Sequence, residues 1–334
     1  MSDVTVEPAA THPGVGRRNL PSRGSVLNTA LPVGALIAMI IYFAAKSDSF
    51  LTVGNLTVMS GQAGPLLLAA LGATFVVVMG SIDLSVGSMA MICGSICAWV
   101  LVETSLGLWA IPIGLAAGAA FGAANGVIFA YGRVPSFIAT LGSLSILLGA
   151  GLLIIDGSPL PFINPDFSEL AVGQIIPNFQ NAGLWALLAW AIFLFVGFRT
   201  RFGLYMYAIG GDERVARLSG IEINRFKVIA FALSGLTAGL AGVLMVGQLG
   251  SGGPTLGSSL LLDSLAAIVV GGTALSGGAG GVQRTLLGVL LITILANGLN
   301  QVGVDQFTQE IIKGSVIILA VAITMISRRG LVIK

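Results

Sequence analysis

Residues 199–227 read R-T-R-F-G-L-Y-M-Y-A-I-G-G-D-E-R-V-A-R-L-S-G-I-E-I-N-R-F-K and form the one long polar island in an otherwise apolar chain. The island holds six of the sixteen basic residues, Arg199, Arg201, Arg214, Arg217, Arg225 and Lys227, and long hydrophobic runs flank it on both sides. A basic loop between two membrane spans belongs on the cytoplasmic side. Within it, Gly210-Gly211 is expected to break the chain, Asp212 to cap a short helix over 213–219, and Gly220 to end that helix. Glu213, at its start, opposes the positive end of the helix dipole. Val215, Leu218 and Ile221 recur at roughly three-residue spacing and lay an apolar stripe among charged neighbours. Two partners suit such a stripe: lipid headgroups, which would receive the arginines, or a cytoplasmic protein.

Composition fits the same picture. A chain of 334 residues that is 55% hydrophobic and 9% charged, with a mean hydropathy of +0.98, is an all-α polytopic membrane protein rather than a soluble domain. Its 47 glycines suit close helix packing in lipid. Cys93 and Cys97 lie four apart in one hydrophobic run, face one side of a helix, and read as small packing residues. With His12 as the sole histidine, in a Pro/Gly-rich tail, no zinc site or nucleophilic Ser/His or Cys/His arrangement can be assembled. No metal, cofactor or nucleic-acid partner is expected.

Residues 1–25 read as a disordered cytoplasmic tail, held inside by Arg17, Arg18 and Arg23, and 26–334 as a single transmembrane domain. No cleavable signal peptide is evident, so the first hydrophobic run reads as a retained span. About ten spans are expected. The first covers 27–45 and the second 62–80, after an outer segment, 46–60, with room for a short interfacial helix. The third starts just past residue 87 and ends near 102. The others are 108–130, 136–155, 183–198, 228–248, 260–275, 285–300 and 309–326. Both termini then fall inside, and fourteen of the sixteen basic residues lie on cytoplasmic segments, Lys46 and Lys313 being the exceptions. The largest outer loop, 156–182, carries Asp156, Asp166 and Glu169 on a Pro-stiffened backbone, either as ordinary solvated loop or as an acidic surface for an external partner.

Two internal echoes suggest duplicated halves. Gly80-x-x-x-Leu84-Ser85-x-Gly87 matches Gly271-x-x-x-Leu275-Ser276-x-Gly278, and Ala124-Asn125-Gly126 matches Ala296-Asn297-Gly298, although at different offsets. Transporters are often built from such halves, with broken helices lining the path between them. Ser81, Asp83, Ser85, Asn125 and Asn297 are the candidates for that role. An Asp at mid-depth costs about 2.5–3.5 kcal/mol on insertion scales, so Asp83 should face protein or water. It reads as a path-lining group, as a structural acceptor for a neighbour's backbone N–H groups, or as a group at the cytoplasmic surface. The two asparagines read as path groups or as interhelical hydrogen bonders. The chain has no G-x-x-x-x-G-K-[ST] phosphate loop and few charges deep in its spans, so any energy for pumping enters from elsewhere.

Five stretches in order carry a likeness: S-I-D-L-S-V-G-S (81–88), V-P-S-F-I-A-T-L-G (134–142), Y-A-I-G-G-D-E-R-V-A-R-L-S-G-I (207–221), S-G-L-T-A-G-L-A-G (234–242) and V-V-G-G-T-A-L-S-G-G (269–278). Together they resemble the permease subunits of bacterial ABC importers of the ribose/xylose/galactose type, over about residues 50–326. The resemblance implies a ten-span permease in the bacterial inner membrane. It pairs with a second permease copy as a homodimer, with cytoplasmic ATP-binding subunits, and with a periplasmic sugar-binding protein. ATP hydrolysis then lies in a separate subunit, and this chain is not an enzyme. The same likeness implies that Gly210, Gly211, Asp212, Glu213, Ala216, Arg217, Leu218, Ser219 and Gly220 form a coupling helix seated in the ATPase. Asp212 stands where the family often has Asn, and both cap helices well. A permease of the related amino-acid branch and a stand-alone secondary carrier are the alternatives.

Overall fold

A computed structural model describes residues 23–327 of the chain. Of the disordered tail expected at 1–25, residues 23–25 are instead the start of α1, while residues 1–22 and the basic end at 328–334, including Arg17, Arg18, Arg328, Arg329 and Lys334, lie outside the described residues, as does His12. The described chain is helical apart from two short strands, in the order α1 (Arg23–Lys46), α2 (Val53–Val78), α3 (Val86–Glu103), α4 (Ala110–Ala130), α5 (Ser136–Ile154), β1 (Leu160–Pro161), α6 (Pro165–Val172), α7 (Asn181–Arg199), α8 (Arg201–Gly211), α9 (Glu213–Leu218), α10 (Ile223–Leu249), β2 (Ser251–Gly252), α11 (Leu260–Val270), α12 (Val282–Gln301) and α13 (Gln306–Ser327). Seven helices among the described residues are long and apolar enough to cross a membrane: α2, α3, α4 with the turn before it, α5, α7, α10 and α12. α11 is shorter, at 11 residues.

Several boundaries differ from the sequence reading. The outer segment expected at 46–60 is not a separate helix, because from Val53 onward it is the first turns of α2, capped by Thr52 accepting from Asn55 N–H. Residues 271–275, expected in a span, lie in a loop, because α11 ends at Val270 and Gly271 starts a run of glycines. The island adds a second helix, α8, that the apolar periodicity did not reveal.

α2 is the centre of the bundle. Its residues 64–78 are all buried, which matches a helix apolar on every side. α10 packs against it and against α4 along a seam of small residues. A Cβ added at Gly118 would collide with the Gly235 carbonyl oxygen, and one at Gly122 with that of Phe231. The two backbones therefore touch, as small-x-x-x-small spacing allows. Cys93 and Cys97 are buried in this part of the bundle, and the Cys97 thiol donates to the Ala110 carbonyl over 3.1 Å.

The long loop at 156–182 is ordered onto one end of the bundle. β1 pairs antiparallel with β2, and α6 packs on α10. Asn164 caps α6, and the Asn181 side chain accepts from Ile175 N–H and donates to the Glu169 carbonyl. α10 runs 27 residues from the island to this loop, about 40 Å at 1.5 Å per residue, so the two lie at opposite ends of the bundle.

Candidate coupling site

At the island end, α8 lies along the bundle on its apolar side. Met206 and Ile209 are buried, and Phe202 meets Phe75 of α2 edge-to-face at 5.1 Å between centroids. Tyr205 and Phe202 both contact Phe226 of α10. The Tyr207 hydroxyl donates to the Gly280 carbonyl over 2.8 Å. Burial pushes its pKa above the usual phenol value, outweighing the pull of Arg284, so it stays a donor at neutral pH.

Gly210 and Gly211 do not break the chain, as the sequence reading had it. Both belong to the last turn of α8, and the direction changes at Asp212, which is extended at φ −160°. The two glycines have different surroundings. A Cβ on Gly210 would collide with the Val78 carbonyl oxygen at the end of α2 and lie 2.6 Å from Gly278 N, whereas one on Gly211 would meet nothing within 4 Å. Gly278 N–H also donates to that Val78 carbonyl over 2.8 Å. Gly277, with φ +81°, brings its Cα side against Gly80, where a Cβ would lie 2.8 Å from Gly80 N and Cα. The two helix breaks at 79–85 and 271–281 therefore meet each other and the end of α8 in one glycine junction. The first echo sits at this contact. The second does not, since Asn125 lies near the island end of α4 and Asn297 near the opposite end of α12.

Beyond the junction, Asp212 caps α9 by accepting from Arg214 N–H at 2.8 Å and Val215 N–H at 3.0 Å. Helix α9 ends at Leu218, followed by Ser219 and by Gly220 at φ +82°, a left-handed turn that glycine tolerates. Glu213 receives Lys227 of α10 at 3.0 Å and Arg217 at 3.2 Å. Lys227 is buried and also lies 4.3 Å over the Phe129 ring, a cation–π contact. Ala216 faces the bundle, while Val215 at 57% and Leu218 at 82% are exposed with Arg214 and Arg217. Of the expected stripe, only Ile221 turns to the core.

The break at 79–85 is held by side chains. Backbone N–H groups without a helical partner must be satisfied inside the protein. Here Ile82 N–H reaches Ser136 Oγ, Leu84 N–H reaches Thr140 Oγ1, and Ser85 N–H reaches Asp83 Oδ1. Asp83 is buried and also accepts from the Ser85 hydroxyl and, over 2.8 Å, from Ser234 Oγ of α10. Asn125 donates to Ser85 Oγ over 2.9 Å. Asp83, Ser85 and Asn125 are thus one network across α3, α4 and α10, and Ser81 is buried nearby without a hydrogen bond to the group. Asn297, far away, exchanges two amide hydrogen bonds with Asn55 of α2, at 2.9 and 3.0 Å, and Gln301 joins them at 2.7 Å.

The sequence reading missed Ser234, Ser136, Thr140 and Asn55. The first three were in sight, because each lies within a stretch quoted for the likeness. All five stretches converge at the island end: 81–88, 134–142 and 234–242 on the helix break around Asp83, and 207–221 and 269–278 on the glycine junction.

No solved structure matches the chain. It is 40% identical over 299 residues to the ribose import permease protein RbsC of Escherichia coli K12, which covers 86% of this chain and 91% of that protein. The ribose import permease protein RbsC of Bacillus subtilis 168 is 37% identical over 291 residues, 87% and 90% of the two chains. The galactose/methyl galactoside import permease protein MglC of Haemophilus influenzae is 34% identical over 310 residues, 86% and 91%. A family model described as "Branched-chain amino acid transport system / permease component" matches residues 55–321, and with four-fifths of its length inside that match the chain belongs to this permease family.

Proposed function

We propose that the chain is the transmembrane permease subunit of an ATP-driven importer that takes up a sugar or related polyol. It spans the inner membrane about ten times, with α1, α11 and α13 adding three crossings to the seven long apolar helices, both termini in the cytoplasm, and the island end inside. Hydrolysis of ATP belongs to a separate cytoplasmic subunit, and a second copy of the chain completes the path. A periplasmic sugar-binding protein docks on the outer end, where the ordered loop carries Asp156, Asp166 and Glu169. The relatives named for ribose and galactose favour a sugar over the amino acid of the family description.

One observation carries the mechanism. α9 shows an exposed face of Arg214, Val215, Arg217 and Leu218, while its other side is fixed to the bundle by Ala216 and the Glu213–Lys227 pair. A helix presented outward and anchored inward suits transmission of movement from a docked ATPase. Nucleotide binding would shift α9, α8 would carry the shift to the glycine junction, and the two helix breaks would move together. Asp83 acts in this scheme as the acceptor that keeps the first break in shape.

Arg217→Glu cancels the net positive charge of the docking face, where Arg214 remains, and leaves the glycine junction untouched. In the reconstituted complex it is expected to lower solute-stimulated ATPase activity by about tenfold or more while membrane insertion stays normal. Full stimulation in this variant would remove the docking assignment.

A further inference from the structure

At the end opposite the island, α2, α10, α11, α12 and α13 line an open cavity of about 830 Å³, within the range of small-molecule sites. Its wall is unusual for so apolar a chain. Six primary amides converge on it: Gln62, Gln248, Asn297, Asn300, Gln306 and Gln309. The hydroxyls of Ser258, Ser259 and Thr293 join them. Three of the amides are already engaged, Asn297 with Asn55, Gln248 with the Gly61 carbonyl and Gln309 with the Val304 carbonyl. Gln62, Asn300 and Gln306 make no side-chain hydrogen bond among the described residues. Thr293 Oγ1 is the one buried side-chain nitrogen or oxygen among the described residues without a partner, and it too is on this wall. A buried polar atom left unpaired costs free energy, but this oxygen has no exposed surface of its own, so the wall's contacts for a solute are the exposed amides.

We propose that this cavity is the outward solute site of the permease and that it is built for a neutral polyhydroxylated molecule. The proposal rests on the importer reading above and names the place where its solute is held and the groups that hold it. An amide offers two donors and an acceptor on one rigid group, which matches a hydroxyl that both gives and takes a proton. Phe307, 84% exposed on the same wall, supplies a flat apolar surface for the C–H face of a sugar ring. The charges argue against an anionic or zwitterionic solute. Among the described residues of the wall, the only cation, Lys313, is held by Glu310 at 2.6 Å and Asp263 at 3.4 Å. A carboxylate entering the cavity would find a net negative trio rather than a free ammonium group.

The test uses the whole importer in proteoliposomes, with loaded binding protein outside, and reads solute moved per ATP with ribose, galactose and leucine as probes. Asn300→Leu with Gln306→Leu removes two of the unengaged amides and is expected to lower sugar moved per ATP by about tenfold. An unchanged ratio overturns the proposal. Asn300→Cys gives a second readout that does not depend on the double variant folding. Cys93 and Cys97 are buried, so a membrane-impermeant maleimide reports position 300. Slower labelling with sugar-loaded binding protein supports the proposal. Labelling indifferent to sugar, or blocked in its absence by a second copy of the chain, overturns it. Transport of leucine in place of both sugars overturns the ligand class. A wild-type complex that moves none of these and no other pentose, hexose or polyol sinks the importer reading itself. That failure is distinct from one in which the wild type transports and the double variant does so equally well.

Discussion

The two ends of the bundle are made of different material. At the island end, backbone meets backbone: Gly80, Gly210, Gly277 and Gly278 bring three chain segments within van der Waals distance, and one carboxylate holds a helix break together. At the opposite end, side chains stand apart around open volume, and amides and an ion trio project into it. A close-packed interior transmits displacement because it cannot absorb it, whereas a roomy polar site exchanges partners at little cost. The difference suits one end to passing on movement and the other to receiving a solute.

The largest expected effect breaks the tight end. Gly210→Ala forces a methyl group into the Val78 carbonyl and is expected to destabilise the protein by about 3 kcal/mol and to remove solute-stimulated ATP hydrolysis. Thermal unfolding in detergent and ATPase assays of the complex check this, and wild-type values for both would show that the junction is loose. Asp83→Asn leaves one acceptor and takes away the charge that three donors share, so a loss of about 2 kcal/mol is expected. Normal yield with a shifted pH profile of transport would instead point to a proton-sensing role. At the open end, Asn297→Ala removes the reciprocal bonds to Asn55, which keeps the Phe50 carbonyl and Gln301 as partners, so about 1 kcal/mol is expected by the same unfolding assay. The smallest effect sharpens the contrast within two adjacent positions. Gly211→Ala meets nothing within 4 Å and is expected to change stability by no more than about 0.5 kcal/mol.

The tight end was legible in the sequence and the open end was not. Local chemistry announces Asp212 as a cap, Gly220 as a helix stop, and the island as a loop between spans. The repeated G-x-x-x-L-S-x-G marks both helix breaks, because each break has its own glycines and serines in a row. What could not be read locally is that Gly210 fits against Val78, a contact across 132 positions whose partner is a bare carbonyl and leaves no residue-type signal. α8 was hidden for a related reason: its apolar residues are interleaved with Arg201, Tyr205 and Tyr207, so the polar island masked a helix that packs by its aromatic groups. The cavity is the extreme case. Gln62, Gln248, Asn300 and Gln306 come singly from four helices, and a lone amide near a span end looks like any interfacial residue until the helices are assembled.

The glycine seam between α4 and α10 bears on how the molecule is made. Residues 118–126 of α4 present a notch that the backbone of α10 fills, and α10 begins about a hundred residues later in synthesis. Until that helix leaves the ribosome, the notch faces lipid or an insertion factor. Chains truncated before residue 223 therefore keep an unfilled groove, a feature that membrane quality-control proteases and chaperones can recognise.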